Sequence, residues 1–170
     1  MNYRPWKLNE EDPARVEALQ SALGAPALVC AVLAARGMDE AAARAFLQDR
    51  TPLSDPMLLS GMKAAVARIH RAIDDGERVV VFGDYDTDGV TATALLYTYL
   101  DAAGADVYYK LPNRGEEGYG LSEEAVELMA EKGVGLIITV DNGISAAAAV
   151  ARAGELGVDG GVTDHHLPPE

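Results

Sequence analysis

The sequence predicts an α/β protein, a parallel sheet with flanking helices, preceded by a small helical N-terminal segment. Three observations lead there. Short apolar, largely β-branched runs at 78–82, 107–111, 136–140 and 158–163 begin about every 20 to 30 residues, the length of a βαβ unit. Between them lie segments whose apolar residues recur at helical spacing. Each strand also closes on polar or ionisable groups, as befits the carboxyl edge of a parallel sheet, where ligands gather.

Composition narrows the class. At 170 residues the chain is long enough to bury a core, and 49% hydrophobic with 24% charged residues is the balance of a globular protein rather than a disordered one. Cys30 is the single cysteine; it lies in the apolar run 27–34, forms no internal disulfide, and reads as a small buried hydrophobe in a reducing cytoplasm. No run approaches the roughly 18 apolar residues of a membrane span, and Met1 to Lys7 is too polar for a secretory signal. The cytoplasm is therefore the expected location. A net charge of −13 argues against a chain that binds nucleic acid by bulk electrostatics.

Taken in order, Asp12-Pro13 opens a helix to Leu23, Ala25-Pro26 a second to Arg36, and Asp39 caps a third to Gln48, with Gly24 and Gly37 at the stops. Trp6 and Phe46 read as packing residues. The stretch 51–56, Thr-Pro-Leu-Ser-Asp-Pro, reads as a linker. The expected division is thus 1–60 as helical segment and linker, and 61–170 as the α/β domain. In the latter, helices are predicted over 62–73, 90–103, 123–132 and 146–156, alternating with the four strands.

The carboxyl edge carries the chemistry. Strand one ends in Asp84, Asp86 and Asp88, strand two in Pro112-Asn113-Arg114, strand three in Asp141-Asn142-Gly143, and strand four in Asp164-His165-His166. Three carboxylates within five residues repel one another unless a cation sits among them. Asp84-x-Asp86-x-Asp88-Gly89 also matches the start of an EF-hand loop, but its twelfth position is Leu95 and a strand, not a helix, precedes it. Turn and cap aspartates are the structural alternative. Asn142-Gly143 is a hairpin signal, yet the alanines that follow favour a helix, which leaves Asp141 as the last strand residue, aimed into the crevice. Adjacent histidines in an extended segment point to opposite sides, so one of His165 and His166 is expected to ligate and the other to face substrate. Carboxylate mixed with imidazole suits Mn²⁺ better than Ca²⁺, with Mg²⁺ also admitted. So many carboxylates exceed the needs of one ion; two ions about 3.5–4 Å apart form the clamp used on phosphate esters. Arg114 is either a bidentate contact to a substrate phosphate or a solvated loop arginine.

Read together, 83–89, Leu111-Pro112-Asn113-Arg114 with Glu117-Gly118-Tyr119-Gly120-Leu121, 140–144 and 163–168 resemble the successive motifs of the DHH phosphoesterase superfamily. They are most similar to its single-strand-specific 5′→3′ exonuclease branch, which Trp6, Ala35-Arg36-Gly37 and Phe46-Leu47 ahead of Asp55-Pro56 also fit. The resemblance implies that Asp84, Asp86 and Asp88 surround two metals, Mn²⁺ or Mg²⁺, that Asp141 bridges them, and that His165 is a ligand oriented by Asp164 behind it. It implies catalytic roles for Asp141 and for His166 beside the scissile phosphate, and a grip on the DNA 5′ end for Arg114. The implied function is metal-dependent phosphodiester hydrolysis of single-stranded DNA in recombination and repair, with other repair proteins as partners and no membrane. Members of that branch continue past Asp-His-His with another metal-binding aspartate and further domains that contact DNA. The chain is accordingly expected to be the N-terminal part of such an enzyme and inactive alone. Two rivals stand beside this reading: an oligoribonuclease, cyclic-dinucleotide phosphodiesterase or pyrophosphatase of the same superfamily, and a non-catalytic binding module. Intact ligands at every motif argue against the second.

Overall fold

A computed structural model describes residues 12–48, 53–113 and 120–169, divided between two compact units, Met1–Asp55 and Pro56–Glu170. In the first unit, helices α1 (Pro13–Leu23), α2 (Ala27–Ala35) and α3 (Glu40–Leu47) follow the predicted order. Asp12 and Asp39 accept hydrogen bonds from the amides of Ala14 and Ala42, satisfying donors that a helix start leaves open. Gly24, at φ 65°, closes α1 in the left-handed region. Leu19, Cys30, Leu33, Ala34 and Ala43 form a separate small core, so Cys30 is the buried hydrophobe its neighbours predict. Trp6 lies outside the described residues.

The second unit begins with a 3₁₀ turn, Pro56–Leu58, and then alternates: α4 (Met62–Asp74), β1 (Arg78–Phe82), α5 (Thr87–Ala102), β2 (Asp106–Lys110), α6 (Glu123–Glu131), β3 (Val134–Val140), α7 (Ala147–Glu155) and β4 (Asp159–Thr163). The four strands form one parallel sheet in the order β2-β1-β3-β4. Val80, Phe82 and Ile137 pack on one face with Val126 and Met129 of α6 and Ala149 and Ala153 of α7. Val79, Val81, Leu136, Ile138 and Val140 pack on the other with Ala72 of α4 and Leu100 of α5. Burial on both faces is why β1 and β3 read as continuous apolar runs rather than alternating ones.

The amino edge of the sheet is pinned by one side chain. Arg68 of α4 pairs with Glu77 ahead of β1 and with Asp159 at the start of β4, and donates to the carbonyl of Gly135 in β3. The carboxyl edge is built differently.

Candidate metal centre

Because β2 and β3 lie on opposite sides of β1, the chain order reverses between β1 and β3, the position at which open parallel sheets form a crevice. The outer pairs stay joined beyond their strands: Gly83 N donates to Lys110 O (3.0 Å), and Asp141 N to Thr163 O (3.1 Å). The β1–β3 pairing ends at Phe82↔Thr139.

Asp84 enters this crevice from β1. It is 3% exposed, and its Oδ1 is buried without a hydrogen-bond partner. Its backbone is held against the first turn of α5, where Gly89 allows the contact: a Cβ there would stand 2.6 Å from the nitrogen and oxygen of Asp84. Thr93, also buried, donates to Gly89 O at 2.7 Å. Asp86 is the N-cap of α5, accepting from the amides of Asp88 and Gly89 at 3.0 Å each. The cap starts the helix at Thr87, three residues ahead of the position that apolar spacing alone predicts. Asp88 consequently sits in the helix's first turn rather than at a strand end, where a carboxylate complements the helix dipole.

Asp141 follows β3 directly instead of ending it. It is the one non-glycine with positive φ, 63°, among the described residues, a region costly for most residues and tolerated by aspartate. Burial raises its pKa, as does the neighbouring charge of Asp86, against the opposing influence of His165. Asp86 shifts the other way, lowered chiefly by the Gly89 amide. Two adjoining carboxylates are thus driven apart in proton affinity, as like charges at one site must be.

Asp84, Asp86 and Asp141 each offer a ligand atom, all within 4.8 Å of one another; Asp141, His165 and His166 do the same, and Asp141 is common to both sets. Asp88 joins neither set, although its charge reaches Asp141. Arg114 lies outside the described residues.

The histidine pair departs from expectation in two ways. Asp164 accepts the backbone N–H of His166 (3.0 Å) through Oδ1 and that of Ile144 (3.0 Å) through Oδ2. This side-chain turn bends the chain as β4 ends. The two rings therefore lie together, with centroids 4.5 Å apart, instead of facing opposite ways. Secondly, Asp164 supports His166 rather than His165: Oδ1 is 2.7 Å from Nδ1 of His166, while Nε2 of His165 stands 2.9 Å from Oδ1 of Asp141. Burial acts to raise the pKa of Asp164, but the His166 and Ile144 amides outweigh it and the net shift is downward. The bond from Asp164 raises His166 in turn.

Asn142, whose sequence context predicts only a turn, is built into the centre. It is fully buried and donates through Nδ2 to Phe82 O (3.2 Å) and Val140 O (3.0 Å). Its only signal in the sequence is the Asn-Gly dipeptide, which points to a turn and not to a cross-strand bond.

A buried Asp84 oxygen without a donor, gathered with Asp86 and Asp141 within ligand distance and rimmed by exposed imidazoles, fits a divalent cation of intermediate hardness.

Comparison with known proteins gives the same direction. Residues 78–170 match the DHH family, N-terminal domain. The chain is 41% identical over 165 residues to the single-stranded-DNA-specific exonuclease RecJ of Bacillus subtilis (strain 168), an overlap of 96% of this chain and 21% of that protein. Its fold is similar to RecJ from Thermus thermophilus in complex with Mn²⁺, with TM-score 0.64 and 32% identity over 96% of this chain and 22% of the other. It is also similar to RecJ from the same organism in complex with Mg²⁺, with TM-score 0.53 and 28% identity over 94% of this chain and 19% of the other. The chain spans about a fifth of the length of the curated relatives it matches.

Proposed function

Since this chain belongs to the DHH family, we propose that its crevice holds divalent ions, Mn²⁺ or Mg²⁺, and serves phosphodiester hydrolysis at the 5′ end of single-stranded DNA. The observation that carries the reading is the meeting of Asp84, Asp86 and Asp141 at the β1/β3 crevice, with a buried oxygen of Asp84 that no donor of the described chain satisfies. Removing a carboxylate from water without a partner is costly, and a divalent cation offsets that cost. Asp84, Asp86, Asp141 and His165 would hold the ions, with Asp88 beside them. Bound there, the ions would lower the pKa of a water and neutralise charge on the phosphate.

The remaining roles fall to the chain's own groups. Asp164 fixes the ring of His166 and shifts it toward its protonated form, which suits His166 to donate to a phosphate oxygen. Arg114 is the proposed grip on the 5′ phosphate. Burial of Asp84 and Asp141 keeps bulk water from the floor of the crevice, while the more open side chains of His165 and His166 leave its rim accessible to substrate. The setting that goes with this chemistry is DNA repair and recombination in the cytoplasm; among the described residues no helix is long and apolar enough to cross a membrane.

Calorimetric titration with Mn²⁺ tests the site. The parent chain binds, and Asp141→Ala loses the heat; a parent chain that takes up no Mn²⁺ would sink the reading. Nucleotide release by the full-length protein from a long 5′-labelled single strand, compared with release from a dinucleotide in the same Mn²⁺ buffer, then tests the substrate. Preference for the dinucleotide would assign the chemistry to small nucleotides instead.

A further inference from the structure

We propose that Asn142 is a positioning residue of the metal centre: its side-chain amide bridges the diverging ends of β1 and β3 and so sets the distance between Asp84 and Asp141. The proposal rests on the metal reading above and adds to it a residue that touches no metal. Backbone pairing between β1 and β3 ends at Phe82↔Thr139, while the flanking pairs continue past their strands through Gly83 N to Lys110 O and Asp141 N to Thr163 O. The backbone therefore opens at the one seam where the carboxylates must meet. Asn142 closes that seam, donating to Phe82 O, two residues before Asp84, and to Val140 O, one residue before Asp141.

The cost of the arrangement identifies its purpose. Oδ1 of Asn142 is buried without a donor, a penalty an apolar residue of similar volume would avoid. What the amide supplies in return is its two donated bonds. Asp141 before it holds a left-handed conformation, φ 63°, and Gly143 after it stands at φ 106°, where a Cβ would come within 2.5 Å of Thr139 Oγ1. An anchored Asn142 between them holds the turn that delivers Asp141 to Asp84 and Asp86. Residues behind metal ligands commonly set affinity in this way.

The test is Mn²⁺ titration of the parent chain, Asn142→Ala, Asn142→Asp and Arg68→Met, with folding followed by circular dichroism and thermal melting in EDTA. Asn142→Asp keeps the volume and leaves at most one donor, the O–H of a protonated carboxyl, where the amide has two. Arg68 pins the opposite edge of the sheet, so its variant reports the effect of lost stability alone. Folded Asn142 variants are expected to bind Mn²⁺ about 10–100-fold more weakly, while Arg68→Met melts earlier and binds as the parent does. Three results would overturn the proposal: Asn142 variants within twofold of the parent, an equal loss of affinity in Arg68→Met, or failure of both Asn142 variants to fold, which would assign the residue to folding alone. Absence of binding in the parent chain itself would remove the metal reading, and this proposal with it.

Discussion

Asp141 combines a left-handed backbone, costly for most residues, with a buried site and a like-charged neighbourhood that oppose its ionised form. Such tension is tolerated where a ligand relieves it. Asp141→Asn, which removes the charge and keeps a residue that accepts left-handed φ, is expected to raise the melting temperature in EDTA while weakening Mn²⁺ binding on the order of 100-fold or more, beyond the range for residues behind the ligands. Calorimetry paired with thermal melting measures both. The Asp164–His166 pair gives a pH signature. Asp164 is lowered in the fold, so its contribution is present above its unfolded value of about 3.9 and disappears as pH falls through the lower folded value. His166 is raised, so its contribution is full below about 6.5 and is lost as pH rises through the higher folded value. In metal-free buffer the pair should therefore stabilise most between those limits. Asp164→Asn should flatten the profile at both ends and return the His166 titration, followed by NMR, toward the value of a free imidazole.

Helix α5 shows two functions sharing one element. Asp86 both caps the helix and offers a candidate ligand atom, so the cap reading and the proposed metal reading are compatible at one residue. Serine is an equally good cap but no substitute for a carboxylate on a divalent ion. Asp86→Ser is accordingly predicted to change stability by less than about 0.5 kcal/mol while weakening Mn²⁺ binding at least about tenfold, read by denaturant unfolding and titration. Gly89 fixes how closely the same helix approaches Asp84. A Cβ there meets backbone atoms at 2.6 Å, and backbone cannot rotate away, so Gly89→Ala should cost about 1–3 kcal/mol and misplace Asp84 as well. Unchanged Mn²⁺ affinity in a folded Gly89→Ala protein would show that the approach of α5 does not set the site.

Across the whole α/β unit, the ion-pair anchor and the proposed metal ligands lie at opposite edges of one sheet. Arg68 ties α4, β1, β3 and β4 together at the amino edge; the carboxylates and imidazoles meet at the other. Mn²⁺ at a hundredfold excess over its dissociation constant should stabilise the fold by about 2.7 kcal/mol. That increment should persist in Arg68→Met and fall to about 0.4 kcal/mol or less in Asp141→Asn, measured by unfolding with and without EDTA. Two bound divalent ions would also offset part of the net charge of −13, at the place where the acidic groups are concentrated.

The sequence by itself determined the parallel α/β fold, the order of its elements and, among the described residues, the gathering of Asp84, Asp86, Asp141 and the histidine pair at the carboxyl edge. Period, β-branching, caps and glycine stops are local signals, and each strand announces its own end. Boundaries shifted by a residue or a few where a side chain supplied what apolar spacing lacks, as Asp86 does in starting α5 at Thr87. Only the tertiary structure decided how the groups pair. That Asp164 reaches Ile144 and that Asn142 spans β1 and β3 depend on distances between segments 20 to 60 residues apart, and the side-chain turn that pairs Asp164 with His166 and brings both imidazoles together sits where those segments meet. A linear pattern contains residue types but not those distances; they are set when the helices on both faces fix the strands side by side and leave one seam open.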